Sequence, residues 1–421
     1  MEQGFYNGNR LKNYCVKCAI DYGNQKIKEK VARCDKCGNP LRTRFAGLAL
    51  SGGGFRAALF HLGSLWRLNE MGWLKKIAEI TSVSGGSITA AYLGLKWKYL
   101  NFDSNGQALD FNEQIVKPIR NFCCRTIDIE SALAGLIYPI YNASTRIASR
   151  YRQGLYGNNT LQDLPSDNEG PRFTIYATSL QTGVSVRFSK AEFAEYHLGK
   201  VETPKIPLAV AVAASSAFPP VLGPLILKLK SADWKDWEDE KPESFTDKEK
   251  IRQRMFLTDG GVYDNMGLER IWDRYSTVLV SDASAPFQIT GGILRFRIGQ
   301  LFVAKRLIDI IDSQALRVRK RWLMHDFIER IVQGSYWGIS TKISDYDLEQ
   351  HGCFPPIVMD SDKTESISHM RTRLNRFHRD EQEELINWGY ALTDAAMRRY
   401  VLEKNYKPGV LPYPGSGMDR I

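Results

Sequence analysis

The apolar residues of this chain fall into strand-like runs that stop abruptly at glycine-rich turns and give way to helix-like spacing. Residues 45–50 form a short apolar run that ends at Ser51-Gly52-Gly53-Gly54, and residues 57–71 follow, with Leu59, Leu62, Leu65, Trp66 and Met71 approximating one helix face. The pattern then repeats. Residues 77–83 read as a buried strand, Ser84-Gly85-Gly86 as a sharp turn, and residues 88–100 as a second helix. The two turns lie about thirty residues apart, the length of one βαβ unit. In a right-handed parallel unit both emerge at the carboxyl ends of neighbouring strands. The expectation is an α/β fold with a parallel-rich sheet over residues 45–285. Residues 173–179 and 184–189, joined through Thr182-Gly183, predict a hairpin. Residues 277–281 predict a further strand, and the rest of the chain is mostly helical in pattern.

The two turns carry the candidate chemistry. A serine placed between a strand and a helix, with Ser82 two residues before it and Gly86 two after, fits a nucleophile elbow: a strained turn pushes the hydroxyl outward. The following helix sets backbone N–H groups and the positive end of its dipole beside a developing oxyanion. Ser84 is therefore the candidate nucleophile, against the simpler reading of a serine- and glycine-rich helix cap. In the triple-glycine loop the absence of side chains exposes N–H groups to an anion. A nucleotide is disfavoured there, because the loop lacks a Walker lysine–hydroxyl pair and Leu59 occupies the last glycine position of a dinucleotide fingerprint. Gly53 and Gly54 can instead face Ser84 across one crevice as an oxyanion hole.

Other stretches read more plainly. Residues 206–227 are apolar but interrupted by prolines and serines, so no membrane span is expected. Residues 101–170 read as a helical insertion whose most apolar part, residues 132–141, is too short to cross a bilayer and suits core or an acyl-pocket wall. Residues 231–250, with Trp234 and Trp237 among eight Asp/Glu and four Lys, read as a solvated surface insertion. The cluster Arg317-Arg319-Lys320-Arg321 reads first as a solvated face and second as a phosphate-binding patch.

Charge and cysteine usage add a separate module. The formal charge is +10, and the first 45 residues hold ten Lys/Arg against four Asp/Glu, which favours acidic partners, either anionic lipid or nucleic acid. Cys15-x-x-Cys18 and Cys34-x-x-Cys37 have the spacing of a tetrahedral thiolate site that would staple a small basic segment. Residues 1–43 thus resemble a zinc ribbon holding one structural zinc ion, with nucleic-acid or protein contact open to it. An odd count of seven cysteines and a polar start point to a reducing, cytoplasmic setting, with peripheral contact at the inner face of the membrane.

Four blocks resemble the patatin-like phospholipases in order: Gly52-Gly53-Gly54-Phe55-Arg56 with the Ser84 elbow; Tyr176-Ala177-Thr178-Ser179-Leu180-Gln181-Thr182-Gly183; Ala213-Ala214-Ser215-Ser216-Ala217-Phe218-Pro219; and Thr258-Asp259-Gly260-Gly261. Ser82 stands where many members carry glycine. The resemblance covers residues 45–285, with a looser likeness to bacterial members beyond. It implies a patatin-like sandwich over residues 44–290, flanked by the ribbon and by a mostly helical extension, 291–421, packed on the hydrolase domain. It also implies a lipid acyl hydrolase that needs no metal for catalysis. Its serine–aspartate dyad would be Ser84 and Asp259, its oxyanion hole Gly52, Gly53 and Gly54, assisted by Gly85, and its loop-orienting residue Arg56. No histidine lies in a recognisable catalytic turn, and His61 reads as an ordinary helix residue. Two alternatives stand beside this: a membrane-degrading effector gated by the ribbon or the C-terminal region, and a zinc-ribbon binding module on an inactive hydrolase scaffold.

Overall fold

A computed structural model describes residues 13–23, 33–127, 143–218, 222–237, 246–287, 289, 299–416 and 418. Its framework is an eleven-stranded mixed sheet. In chain order the strands are β1 (Thr43–Leu50), β2 (Ile77–Val83), β3 (Arg172–Ser179), β4 (Ser185–Phe188), β5 (Glu192–Glu195), β6 (Gly199–Glu202), β7 (Leu225–Lys228), β8 (Trp234–Lys235), β9 (Arg254–Asp259), β10 (Tyr275–Asp282) and β11 (Gln333–Gly338). The path across the sheet is β8–β6–β5–β4–β3–β2–β1–β10–β11, and β9 pairs with both β3 and β7. From β3 through β11 the five strands are parallel. From β4 outward to β8 the pairing is antiparallel.

The central parallel strands are buried along most of their length because helices cover both faces. Every residue of β2 and of β10 is buried, the polar ones included. Glu79 in β2 is fully buried yet charged. Its carboxylate meets Arg270 at 2.7 Å and accepts hydroxyl bonds from Thr174 and Tyr275, each at 2.8 Å. Burial alone would raise its pKa, but Arg270, Arg172 and Arg274 more than offset this and hold it low.

The main helices are α1 (Gly54–Glu70), α2 (Gly85–Lys96), α3 (Ala143–Tyr151), α4 (Leu208–Ser215), α5 (Gly299–Ile328) and α6 (Arg379–Tyr400). The parallel-rich α/β expectation and the hairpin are both borne out. Residues beyond 290 do more than add helices, since β11 joins the main sheet beside β10, an edge strand that the helical reading passes over. Trp234 is a second correction. It is buried against Phe193 and donates to the Arg252 carbonyl at 3.2 Å, so it belongs to the core and not to a solvated insertion. The apolar residues 132–141 lie outside the described residues. No helix among the described residues is long and apolar enough to cross a membrane.

Helix α6 crosses α1 with backbone in contact. A methyl group at Gly389 would lie 2.0 Å from the Phe60 carbonyl oxygen, and one at Gly63 would lie 1.9 Å from that of Ile386. This close crossing fixes α1, and therefore the glycine loop at its start. Gly389→Val and Gly63→Val should each destabilise the protein by at least about 1–3 kcal/mol through overpacking, read as a lower denaturant midpoint. Gly415→Ala, at a position with no atom within 4 Å of the added carbon, should leave the midpoint unchanged.

Candidate active site

Strand β2 delivers Ser84 into a backbone conformation that side chains avoid, with φ 48° and ψ −117°. Such a residue costs about 1–3 kcal/mol and persists only where its surroundings hold it. The Ser84 N–H donates to the Ser215 hydroxyl at 2.8 Å, and Ser215 in turn meets the Ser87 hydroxyl at 2.9 Å. Ser87 donates to Ser82 at 3.1 Å, while the Ser84 carbonyl accepts the N–H groups of Ser87 and Ile88. Ser82 replaces a familiar glycine without strain because its hydroxyl has partners, including the Thr174 carbonyl at 3.4 Å. Ser215 was not distinguishable from Ser216 by sequence. Only the fold shows which one braces the elbow.

The glycine loop lies directly against this turn. A methyl group at Gly85 would fall 2.0 Å from the Gly54 carbonyl oxygen, so neither turn can carry a side chain there. Among the described residues the N–H groups of Gly53, Gly54 and Gly85 donate to no protein acceptor outside their own helices. Each precedes the point at which a helix can use it. Gly52 is different and corrects the expected set: its N–H donates to the Asn265 carbonyl at 3.0 Å and is not available to a substrate. What Gly52 supplies is room, because a methyl group there would lie 3.2 Å from the Ser84 Cβ and 2.3 Å from Asn265 Oδ1.

Arg56 is buried and does not face a substrate. Its guanidinium donates to the carbonyls of Ala283 at 2.5 Å and Met370 at 2.9 Å, tying the loop after β10 and the segment before α6 to the glycine loop. Burial pulls its pKa down to about 10, with Asp282 opposing. His61 is fully buried, its ring nitrogens 2.9 Å from the Ser51 carbonyl and 2.8 Å from the Ser281 hydroxyl. Burial lowers its pKa to about 4, so the ring is neutral. It supports the start of the glycine loop from below.

Asp259, the last residue of β9, sits opposite Ala177 of β3, while Val83 of β2 sits opposite Tyr176. The two strands therefore meet end to end on one edge of β3. The Ser84 hydroxyl lies close enough to the Asp259 carboxylate to favour its ionised form. The carboxylate also accepts the Gly261 N–H at 2.7 Å, and the Asp259 backbone is held by Thr178 and Ala217. Burial raises the Asp259 pKa to about 7, opposed by the bonds from Gly261 and Ser84 and reinforced by the charge of Asp312. Ser84 and Asp259 are 8% and 3% exposed. A cavity of about 890 Å³ lies along β11 and touches Asp282 and Ser284 but neither Ser84 nor Asp259.

The four N-terminal cysteines converge. Their sulfur atoms lie within 4.8 Å of one another, none is in a disulfide, and Cys15 and Cys34 are buried. This donor set could hold a metal ion. Burial disfavours the Cys34 thiolate, but the Tyr22 hydroxyl at 3.3 Å and the N–H groups of Cys37 and Lys36 outweigh it and bring its pKa down to about 6. The segment runs into β1 without a linker, through backbone bonds between Tyr14 and Arg42 and an Arg42 bond to the Asp273 carbonyl at 2.5 Å.

The raised Asp259 pKa has a thermodynamic signature. A carboxyl that ionises near pH 4 when unfolded but near 7 when folded makes the native state bind the extra proton between those values, so its contribution to stability falls as pH rises through that window. Asp259→Asn, which keeps the acceptor for Gly261 and carries no charge, should therefore gain stability over the wild type progressively from pH 4 to 7 and hold that gain at pH 8. Melting curves across this range check it.

The model of the family described as patatin-like phospholipase matches residues 48–272. Among solved structures, human GIVD cytosolic phospholipase A2 aligns with a TM-score of 0.48 at 14% identity, over 84% of this chain and 59% of that one. VipD from Legionella pneumophila aligns with a TM-score of 0.34 at 14% identity, over 92% and 70%. ExoU, from the type III secretion system of Pseudomonas aeruginosa, aligns in complex with SpcU with a TM-score of 0.24 at 16% identity, over 70% and 54%. The chain thus spans about 59% of the length of the human phospholipase. No curated protein matches by sequence. With a family model spanning more than half of its length and every block of that family's motifs gathered around Ser84, the chain belongs to the patatin-like phospholipases.

Proposed function

We propose that the protein is a phospholipase A-like lipid acyl hydrolase working through a Ser84–Asp259 dyad. The observation that carries this reading is the strained Ser84 hydroxyl set against a buried carboxylate whose pKa is near 7, next to three unclaimed glycine N–H groups. Ionised Asp259 accepts the Ser84 proton as Oγ attacks the acyl carbonyl. The N–H groups of Gly53, Gly54 and Gly85 stabilise the tetrahedral oxyanion. Protonated Asp259 gives that proton to the departing alkoxide as the intermediate collapses, which releases the alcohol, leaves an acyl-enzyme and returns Asp259 to its ionised form. Asp259 then deprotonates the water that releases the fatty acid. Arg56 and Ser215 position the loop and the elbow, and His61, neutral and enclosed, takes no proton in the cycle.

The four cysteines fit a structural zinc ion, distant in role from the ester chemistry, and the reading divides the chain at about residue 43 between this module and the hydrolase. Lipid is the proposed substrate, with peripheral membrane contact. Protein or nucleic acid is left as the class of partner for the cysteine module.

Purified protein should release fatty acid from phospholipid or from an activated short-chain ester. Ser84→Ala and Asp259→Asn should each lower the rate by at least about a thousandfold, because nucleophile and base act together. A fluorophosphonate should label the wild type and not Ser84→Ala. Because only ionised Asp259 acts as base, kcat/KM should rise with pH and level off above about 7. A histidine substitution that abolished hydrolysis in a folded protein while Asp259→Asn stayed active would overturn the dyad.

Metal analysis of protein purified without chelator should find about one equivalent of zinc, and Cys34→Ser should lose it with little change in ester hydrolysis. Absence of metal from the wild type would remove the zinc assignment and leave the hydrolase reading intact.

A further inference from the structure

Helix α5 differs from the other long helices in how little of it is covered. Its C-terminal half is anchored: Leu323 is buried, and Leu316, Met324 and Phe327 pack beside it against the core formed with β10. Outside this seam, Val303, Leu307, Ile310 and Ile311 are exposed, Leu307 by 54% and Ile311 by 67%. At about 100° per residue these four fall on one stripe opposite the anchored face. Further along the same stripe come Arg321, Trp322 and Ile328, all exposed.

The acidic residues of α5 are sorted away from that stripe. Asp326 accepts the Trp272 ring N–H at 2.7 Å, and Asp312 is near enough for its charge to raise the pKa of Asp259. Asp309 adjoins Asp312 on the same inward side. What remains outward is apolar at one end and, at the other, aromatic and cationic, with Arg317 and Arg321 exposed beside Trp322. An apolar stripe flanked by arginine and tryptophan, with acids turned inward, suits the interface of a bilayer bearing anionic headgroups. Because Arg319 of the same helix meets Asp264 at 3.6 Å, five residues beyond Asp259, α5 links the stripe to the neighbourhood of the candidate dyad.

We propose that the outer face of α5, from Val303 to Ile328, is a membrane-docking surface that seats the protein on anionic phospholipid. This rests on the lipid-hydrolase reading for its purpose but not for its measurement, since binding can be followed without turnover.

The experiment is flotation of the full chain carrying Ser84→Ala with phosphatidylcholine vesicles, with and without phosphatidylglycerol. The protein should float with the anionic vesicles. Adding Leu307→Gln and Ile311→Gln should weaken binding at least about tenfold, whereas Leu109→Gln, which changes an exposed leucine elsewhere, should not. Arg317→Glu with Arg321→Glu should abolish the preference for phosphatidylglycerol. With Ser84 left intact, the apolar pair should slow vesicle hydrolysis in step with binding and leave hydrolysis of a soluble short-chain ester unchanged. Undiminished flotation of a folded Leu307/Ile311 double variant would overturn the proposal. So would a wild-type dimer in sedimentation that the double variant breaks while vesicle binding is unchanged, since the stripe would then contact a second copy. Wild-type binding through this face without hydrolysis of any ester would support the surface and count against the lipid-hydrolase reading alone.

Discussion

Strand β3 offers one edge to two partners, and the candidate site depends on that sharing. Strand β2 occupies the edge in parallel as far as Val83, opposite Tyr176, and β9 takes it antiparallel from Asp259, opposite Ala177. Hydrogen-bond register leaves no slack in such an arrangement, because a shift of one residue would turn every side chain to the other face. Ser84 and Asp259 are thus brought together by strand pairing and not by a flexible loop. The blocks containing Thr178, Ser215 and Ala217 act from behind, each bonding to the elbow or to the Asp259 backbone.

Burial then sets the chemistry. The same enclosure that keeps Asp259 from water raises its pKa toward neutrality, where a carboxylate can both accept and return a proton. A buried carboxyl held by one N–H and no cation destabilises the fold when ionised. Glu79 shows the contrast a short distance along β2: equally enclosed, it is surrounded by arginines that keep it ionised and structural. Two carboxylates in similar burial therefore differ in how readily they ionise, according to the charges around them.

Support for the glycine loop comes from far along the chain. Helix α6 grips α1 through the Gly63–Gly389 crossing, and Arg56 gathers the Ala283 and Met370 carbonyls around the loop. The C-terminal third is consequently part of the apparatus that holds Gly53 and Gly54 in place. It also contributes β11 to the sheet, so the sheet itself is completed only by residues beyond the family's matched segment.

By itself the sequence determined the strand–turn–helix units, the elbow at Ser84, the cysteine quartet and, through motif likeness, Asp259, because each of these is written in local spacing that backbone sterics make recognisable. Tertiary structure alone decided matters that depend on which distant atoms meet. It selected Ser215 over Ser216 as the brace, and it occupied the Gly52 N–H with Asn265 and so removed it from the oxyanion set. It also enclosed Trp234, which its acidic neighbours in the sequence had made look exposed, and it enlisted a C-terminal edge strand whose helical surroundings hid it. Hydrogen-bond partners separated by a hundred residues or more leave no periodic trace in either of the segments they join, and burial belongs to the packed whole. These are the points at which local pattern ceases to constrain the structure.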